Sequence, residues 1–344
     1  MTCWPRIARS RILLSITFTL IAAACSAQGT GTNAPPAAVT TTEASRVASL
    51  GDPGFFEIAA VEKLVLHDAK RGKDLPLRVT YPKTGGPHPL IVWSHGAGGS
   101  KDNYQPLVTH WASHGYVVIQ PTHSDSRSLG TKAGDPTRFQ DWPSRPADIS
   151  FVLDALDALE KQIPALAGRL DRAAVGVGGH SFGANTAQLI GGALAFPGGR
   201  GARSFADTRV AAVMLLSGQG IGEMLRRESW QELRRPMLVM SGSADGPTRT
   251  GQPAVWRKQP YALSPPGDKY LVWVDDLDHG YGGITGVVAF NPRNKPNPDH
   301  VAWTKRVTLA FWESYLRRDG AAQTWLQSDG LAILSKGAAT IQHK

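Results

Sequence analysis

The chain has 344 residues, 42% hydrophobic and 19% charged, which is long and apolar enough for a full buried core and excludes wholesale disorder. Its formal charge of +9 comes without a clustered basic stripe interleaved with aromatics, so solvated surface charge accounts for it and nucleic acid is not expected as a partner. The two cysteines, Cys3 and Cys25, both fall in the first 25 residues, so the rest of the chain has no pair for a disulfide and must be held by its core.

At the N-terminus, Arg6, Arg9 and Arg11 precede the apolar run Ile12 to Ile21, which exits through Ala22-Ala23-Ala24-Cys25. Charge, length and small-residue exit are those of a secretory signal over residues 1–24. The run is too short for a transmembrane helix of about 20 residues. Ala-Ala-Cys here resembles a bacterial lipobox, with Ala22 where leucine is usual; the resemblance implies a lipidated Cys25 and export to a periplasmic or cell-surface membrane, with cleavage and release as the alternative. Removing residues 1–24 takes away three arginines and no acid, leaving a formal charge of +6. Residues 25–50, rich in Ala, Thr, Ser and Pro, read as a flexible tether.

From residue 51 to 344 short β-branched runs alternate with amphipathic stretches, as expected of one α/β domain: a mostly parallel central sheet with helices on both faces. Strands are expected at Leu75–Tyr81, Leu90–Ser94, Tyr116–Gln120, Ala173–Val177, Val210–Leu216, Met237–Met240 and Tyr270–Val274, their near-continuous apolarity fitting burial on both faces. Helices are expected at Tyr104–His114, Pro146–Gln162, Phe182–Leu194, Ile221–Leu233 and Val301–Arg318.

Gly179-His180-Ser181-Phe182-Gly183 matches G-x-S-x-G, and its place between a strand and a helix is where a tight turn exposes a nucleophilic serine. Side chains at Gly179 and Gly183 would collide as the two elements cross. A serine needs a base, and His279, in the loop after Tyr270–Val274, stands late in the chain at a strand end. His95, His123 and His180 follow earlier strands, while His110 and His114 lie on a helix. Asp245, ending the preceding strand in SGSAD, is the candidate to orient the imidazole; Asp275, Asp276 and Asp278 shape the loop, and Asp148 caps or salt-bridges its helix. Oxyanion donors are expected from the Phe182 N–H and, in the loop SHGAGGS, from Ala97, with Gly98 as rival. Phe182, Trp142, Tyr281 and Trp256 are candidates to line an apolar substrate site, against simple packing. The long connection Asp125 to Pro143 could cover that site. No metal-ligand cluster or phosphate loop is apparent.

With SHGAGGS, RPADISFVLDAL, GHSFGA, SGSAD and DLDHGYGG in place, residues 60–318 resemble the α/β-hydrolase superfamily. Within it the set is similar to exported esterases grouped with dienelactone-hydrolase-like, platelet-activating-factor-acetylhydrolase-like and polyester-hydrolase proteins. That resemblance implies the α/β-hydrolase fold and a cofactor-free serine carboxylesterase acting through an acyl-enzyme on small, apolar or polymeric esters. Dienelactone hydrolases use a cysteine where Ser181 stands. Acetylhydrolases of the platelet-activating-factor type place their acid after the strand that ends here in Leu216-Ser217-Gly218-Gln219, which has no carboxylate. Asp245 instead matches the polyester-hydrolase arrangement. Amide or peptide hydrolysis on the same triad, and a catalytically silent binding lipoprotein, are the alternatives.

Overall fold

Nine strands form a single sheet in the computed structural model, which describes residues 49–132, 135, 140–247, 251–286 and 295–344. The expected signal segment, Cys25 and the tether up to residue 48 lie outside the described residues, as does part of each of the loops 125–143 and 291–299. The strands are β1 (Ile58–Asp68), β2 (Lys73–Pro82), β3 (His88–Ser94), β4 (Val117–Pro121), β5 (Leu170–His180), β6 (Val210–Leu216), β7 (Met237–Ala244), β8 (Lys269–Asp278) and β9 (Ala339–His343). Their order is β1-β2-β4-β3-β5-β6-β7-β8-β9. Strands β4, β3, β5, β6, β7 and β8 pair in parallel; β1 with β2, β2 with β4 and β8 with β9 are antiparallel.

Strand β3 shows why this sequence builds a two-sided sheet. Its seven residues are all buried, and the period-2 alternation sends Leu90 and Val92 into one core and Ile91 and Trp93 into the other. The first core takes helices α2 (Ser144–Asp154), α3 (Leu156–Gln162) and α4 (Phe182–Gly191) through Ile149, Leu159 and Leu189. The second takes α1 (Gln105–Ser113) and α6 (Pro298–Leu316), through Trp111 and Trp312. Each Val, Leu or Ile so buried contributes about 1.5–3 kcal/mol of transfer free energy. Shorter helices α5 (Gln259–Leu263), α7 (Gly320–Leu326) and α8 (Gly330–Leu334) complete the described fold. Helix α6 begins where Asn297 accepts from the Asp299 and His300 N–H groups, with Pro298 in the first turn.

Several expectations need correction. Ile221–Leu233 is not an α-helix: it holds only a 3-10 turn, Arg227–Trp230. Its carbonyls are spent elsewhere, Met224 O accepting from Phe196 N–H and Ser229 O from Leu194 N–H, so the helical ladder is replaced by pairing with a neighbouring loop. The helix expected over Pro146–Gln162 is two helices meeting at Ala155 (φ −99°, ψ 15°). Strands β1 and β9 and helices α5, α7 and α8 lie outside the expected set.

Candidate active site

Ser181 ends β5 and begins α4 with φ 56° and ψ −116°, a backbone conformation that an L-residue adopts at a cost of order 1–3 kcal/mol. Surroundings enforce it. The Ser181 N–H donates to Leu216 O at 2.8 Å, continuing the β5–β6 ladder, while the next residue already belongs to the helix. A Cβ on Gly179 would stand 2.3 Å from the Gly183 backbone, and one on Gly183 would stand 2.0 Å from Ser94 O. Strand, helix and the end of β3 therefore cross at a distance only glycine allows.

Two strands away, the register of β7 and β8 pairs Ala244 with Asp278, so the next residues, Asp245 and His279, leave the sheet side by side. His279 Nδ1–H donates to Asp245 Oδ1 at 2.7 Å. Asp245 is buried and its other oxygen accepts from Ser217 Oγ and Ser241 Oγ, at 2.5 and 2.7 Å. Burial alone would raise this carboxyl; the Arg257 guanidinium, with His279 and Ser217, outweighs it and brings it down to about 2. Arg257 is itself buried, its Nε 3.0 Å from Asp245 Oδ1 and its Nη1 donating to Ser217 O at 2.7 Å. The His279 side chain remains about a third exposed (35%).

His180 lies between the two halves. Its ring is 4.5 Å from the His279 ring, and burial, reinforced by the His279 charge, holds it well below the usual imidazole range. His180 is thus neutral at neutral pH. Neighbouring acids serve the loop: Asp278 accepts from the Gly280 and Lys295 N–H groups, while Asp275 and Asp276 are exposed.

The loop after β3 divides Ala97 from its rival. Gly98 N–H is committed to Asp125 Oδ2 at 3.0 Å, whereas the Ala97 N–H makes no hydrogen bond among the described residues and Ala97 is half-buried. Phe182 is the first residue of α4, directly after Ser181. Of the residues expected at a substrate site, Tyr281 is elsewhere. It is wholly buried, its hydroxyl donating to Met240 O and accepting from Ser217 N–H, so it braces the acid and does not line a pocket. Trp142 is half-buried with its ring edge-on to Phe205 (5.4 Å), and Trp256 donates from Nε1 to Ile221 O.

Sequence reasoning missed a second network beneath the Ser94–Gly99 loop. Ser94 Oγ donates to His123 Nε2 at 2.9 Å and His123 Nδ1–H to Asp148 Oδ2 at 2.8 Å, all three side chains being fully buried. Asp148 lies within α2 and does not cap it; it pairs with Lys73 and Arg71. Arg145, also buried, forms a fork on Asp125 and donates to His95 O. Only the run of polar residues at strand ends, Ser94, His95, His123 and Asp125, could have signalled it. Among the described residues no group of three His, Cys, Asp or Glu side chains is placed to hold a metal ion, and no helix is long and apolar enough to cross a membrane.

Residues 53–195 match the family model described as Chlorophyllase, a span that includes the Ser94–Gly99 loop and Ser181 but ends before Asp245 and His279. A platelet-activating factor acetylhydrolase of Cavia porcellus is 28% identical over a segment covering 30% of this chain and 32% of that protein. The chain therefore matches about a third of the length of this curated relative. A ferulic acid esterase structure from Streptomyces cinnamoneus superposes with a TM-score of 0.60 at 19% identity, covering 83% of this chain and 96% of the other.

Proposed function

We propose that this chain, a member of the α/β-hydrolase superfamily, is a serine carboxylesterase that works through an acyl-enzyme. The observation that carries the reading is the 2.7 Å contact of His279 with a buried, ionised Asp245, at the same end of the sheet as a serine strained into the turn between strand and helix. With Nδ1–H engaged by Asp245, Nε2 is the basic nitrogen of His279.

In the proposed sequence, Ser181 Oγ attacks the ester carbonyl carbon while His279 takes its proton. The carbonyl π pair moves to oxygen, where the N–H groups of Ala97 and Phe182 receive it. Collapse expels the alcohol, which leaves with the proton from His279. Water then repeats the cycle on the acyl-enzyme and frees Ser181. Asp245 stays ionised throughout and favours the imidazolium that forms twice per turnover.

Relatives named as an acetylhydrolase and an esterase support ester over amide chemistry. Apolar or small acyl groups, including lipid-like and polyester substrates, belong to this reading, as does export with a lipid on Cys25, supported by the Ala-Ala-Cys exit of the N-terminal apolar run. Purified protein lacking residues 1–24 should hydrolyse p-nitrophenyl acetate and butyrate, and Ser181→Ala should remove that turnover. Cleavage of peptide anilides at rates equal to the esters would overturn the ester assignment. Radiolabelled palmitate incorporated by the full chain and lost in Cys25→Ser tests the anchor.

A further inference from the structure

The peptide joining Gly96 to Ala97 is held from behind. Its carbonyl, Gly96 O, accepts from Gly99 N–H at 3.0 Å, from His95 Nδ1–H at 2.7 Å and from Arg145 Nη2 at 3.4 Å. In a planar trans peptide the N–H points opposite to the C=O, so anchoring the carbonyl inward aims the Ala97 N–H away from the network. Arg145 makes this arrangement rigid. Its Nε and Nη2 grip the two oxygens of Asp125 at 2.9 Å each, and its Nη1 donates to His95 O at 2.7 Å. Asp125 in turn accepts from Gly98 N–H, so the N–H beyond Ala97 is drawn inward. The other face of the same guanidinium lies 4.4 Å from the centre of the Phe182 ring.

We propose that Arg145, clamped by Asp125, is a positioning residue that sets the oxyanion pocket, fixing the Gly96–Ala97 peptide plane and bearing on Phe182. The inference rests on the esterase reading above. One buried guanidinium touches both segments that carry the donors, the loop after β3 and the start of α4, which are distant in sequence. The buried Ser94–His123–Asp148 chain supports it from beneath: Ser94 Oγ accepts from Arg145 Nη1 at 3.3 Å, and Asp148 is neutralised by Lys73 and Arg71. Enclosed as it is, that Ser–His–Asp chain meets no substrate, and its part is to brace the end of β3.

The test compares Arg145→Met, Arg145→Lys and Asp125→Asn with the wild type on p-nitrophenyl acetate, with inhibition by an aryl trifluoromethyl ketone, whose adduct with Ser181 places an oxyanion in the pocket. Arg145→Met should lower kcat by about 30- to 300-fold with KM within about 3-fold, and weaken the ketone by a matching factor. Arg145→Lys should recover part of the loss, and the pH-rate profile should not move, because Asp245 and His279 are untouched. If Arg145→Met does not fold, Asp125→Asn, which removes the clamp, carries the same expectation. The proposal is overturned by a folded Arg145→Met or Asp125→Asn variant with kcat within about 3-fold of wild type, by a kcat loss that spares ketone affinity, or by a loss that shifts the pH profile. A wild-type protein without ester turnover would instead remove the esterase reading.

Discussion

Arg257 Nε lies 3.0 Å from the same Asp245 oxygen that accepts the hydrogen bond from His279 Nδ1–H, so the buried acid is shared between a guanidinium and an imidazole. Burial pushes Asp245 up and Arg257 is the chief opposing influence, which together leave it at about 2 against 3.8 unfolded. A depressed carboxyl contributes stability above its unfolded value that is lost as the pH falls through the folded one, here about 2 kcal/mol between pH 4 and 2. Arg257→Gln should shrink that contribution, so acid unfolding followed by circular dichroism should begin at higher pH than in the wild type. An unmoved midpoint would mean that Arg257 does not govern Asp245.

The elbow gives a sharper contrast between two glycines. Gly183→Ala forces a Cβ to within 2.0 Å of Ser94 O, a backbone atom that can yield only by moving β3. Thermal unfolding should show a loss of about 3 kcal/mol or more, or no folded protein. Gly201, where an added Cβ would meet no atom within 4 Å, should accept alanine with a change under about 0.5 kcal/mol. Equal effects at the two sites would contradict the crowding described around Ser181.

Much of this fold is legible in the sequence because its inner strands are buried on both faces. Leu90–Ser94 and Val210–Leu216 read as continuous apolar runs, and the structure bounds β6 at the same residues. β1 lies at an edge, its residues alternating between exposed and buried from Lys63 to Asp68, and β9 has only five residues, so neither carries a comparable run. The segment Ile221–Leu233 misleads for a different reason: its apolar spacing suits a helix, but Trp230 is anchored through Nε1 to Gln188, and two carbonyls pair with residues 194 and 196. At the site, Asp245 and His279 can be chosen from strand ends and chain order. Arg257, Ser217 and the Arg145–Asp125 pair cannot, because their roles arise from packing between distant segments. Tyr281 faces the core and not a pocket, and a tyrosine next to a glycine-rich loop carries no sign of which way it turns.

Buried histidines held below their ordinary value, His95, His110, His123 and His180 among them, set a second pH dependence. Burial lowers His110 to about 3 and His123 to about 4, and holds His95 and His180 well below the ordinary range. An imidazole whose folded value lies below its unfolded one binds its proton in the unfolded chain first, so stability falls as pH drops below about 6.5. Each such group steepens the dependence by about 1.4 kcal/mol per pH unit in that window. His110, which contacts Leu50 O and lies away from the proposed triad, is the clean case. His110→Gln should flatten the slope of urea-derived stability between about pH 6 and 4 by that amount; an unchanged slope would show that His110 is not neutral in the folded state.

Asp245→Asn preserves shape while removing the charge that favours the His279 imidazolium. Ester kcat should fall by about 10³- to 10⁴-fold with KM little changed. A decrease of less than tenfold would place the orienting acid elsewhere.

If Ser181 is the nucleophile, a reagent that captures activated serines should mark that residue and no other. Incubating the protein with a fluorophosphonate and measuring intact and peptide masses should show one adduct, on Ser181, formed at a rate that matches the loss of ester turnover. Ser181→Ala should take up none. An unlabelled wild type that still hydrolyses esters, or an adduct on another residue, would contradict the account.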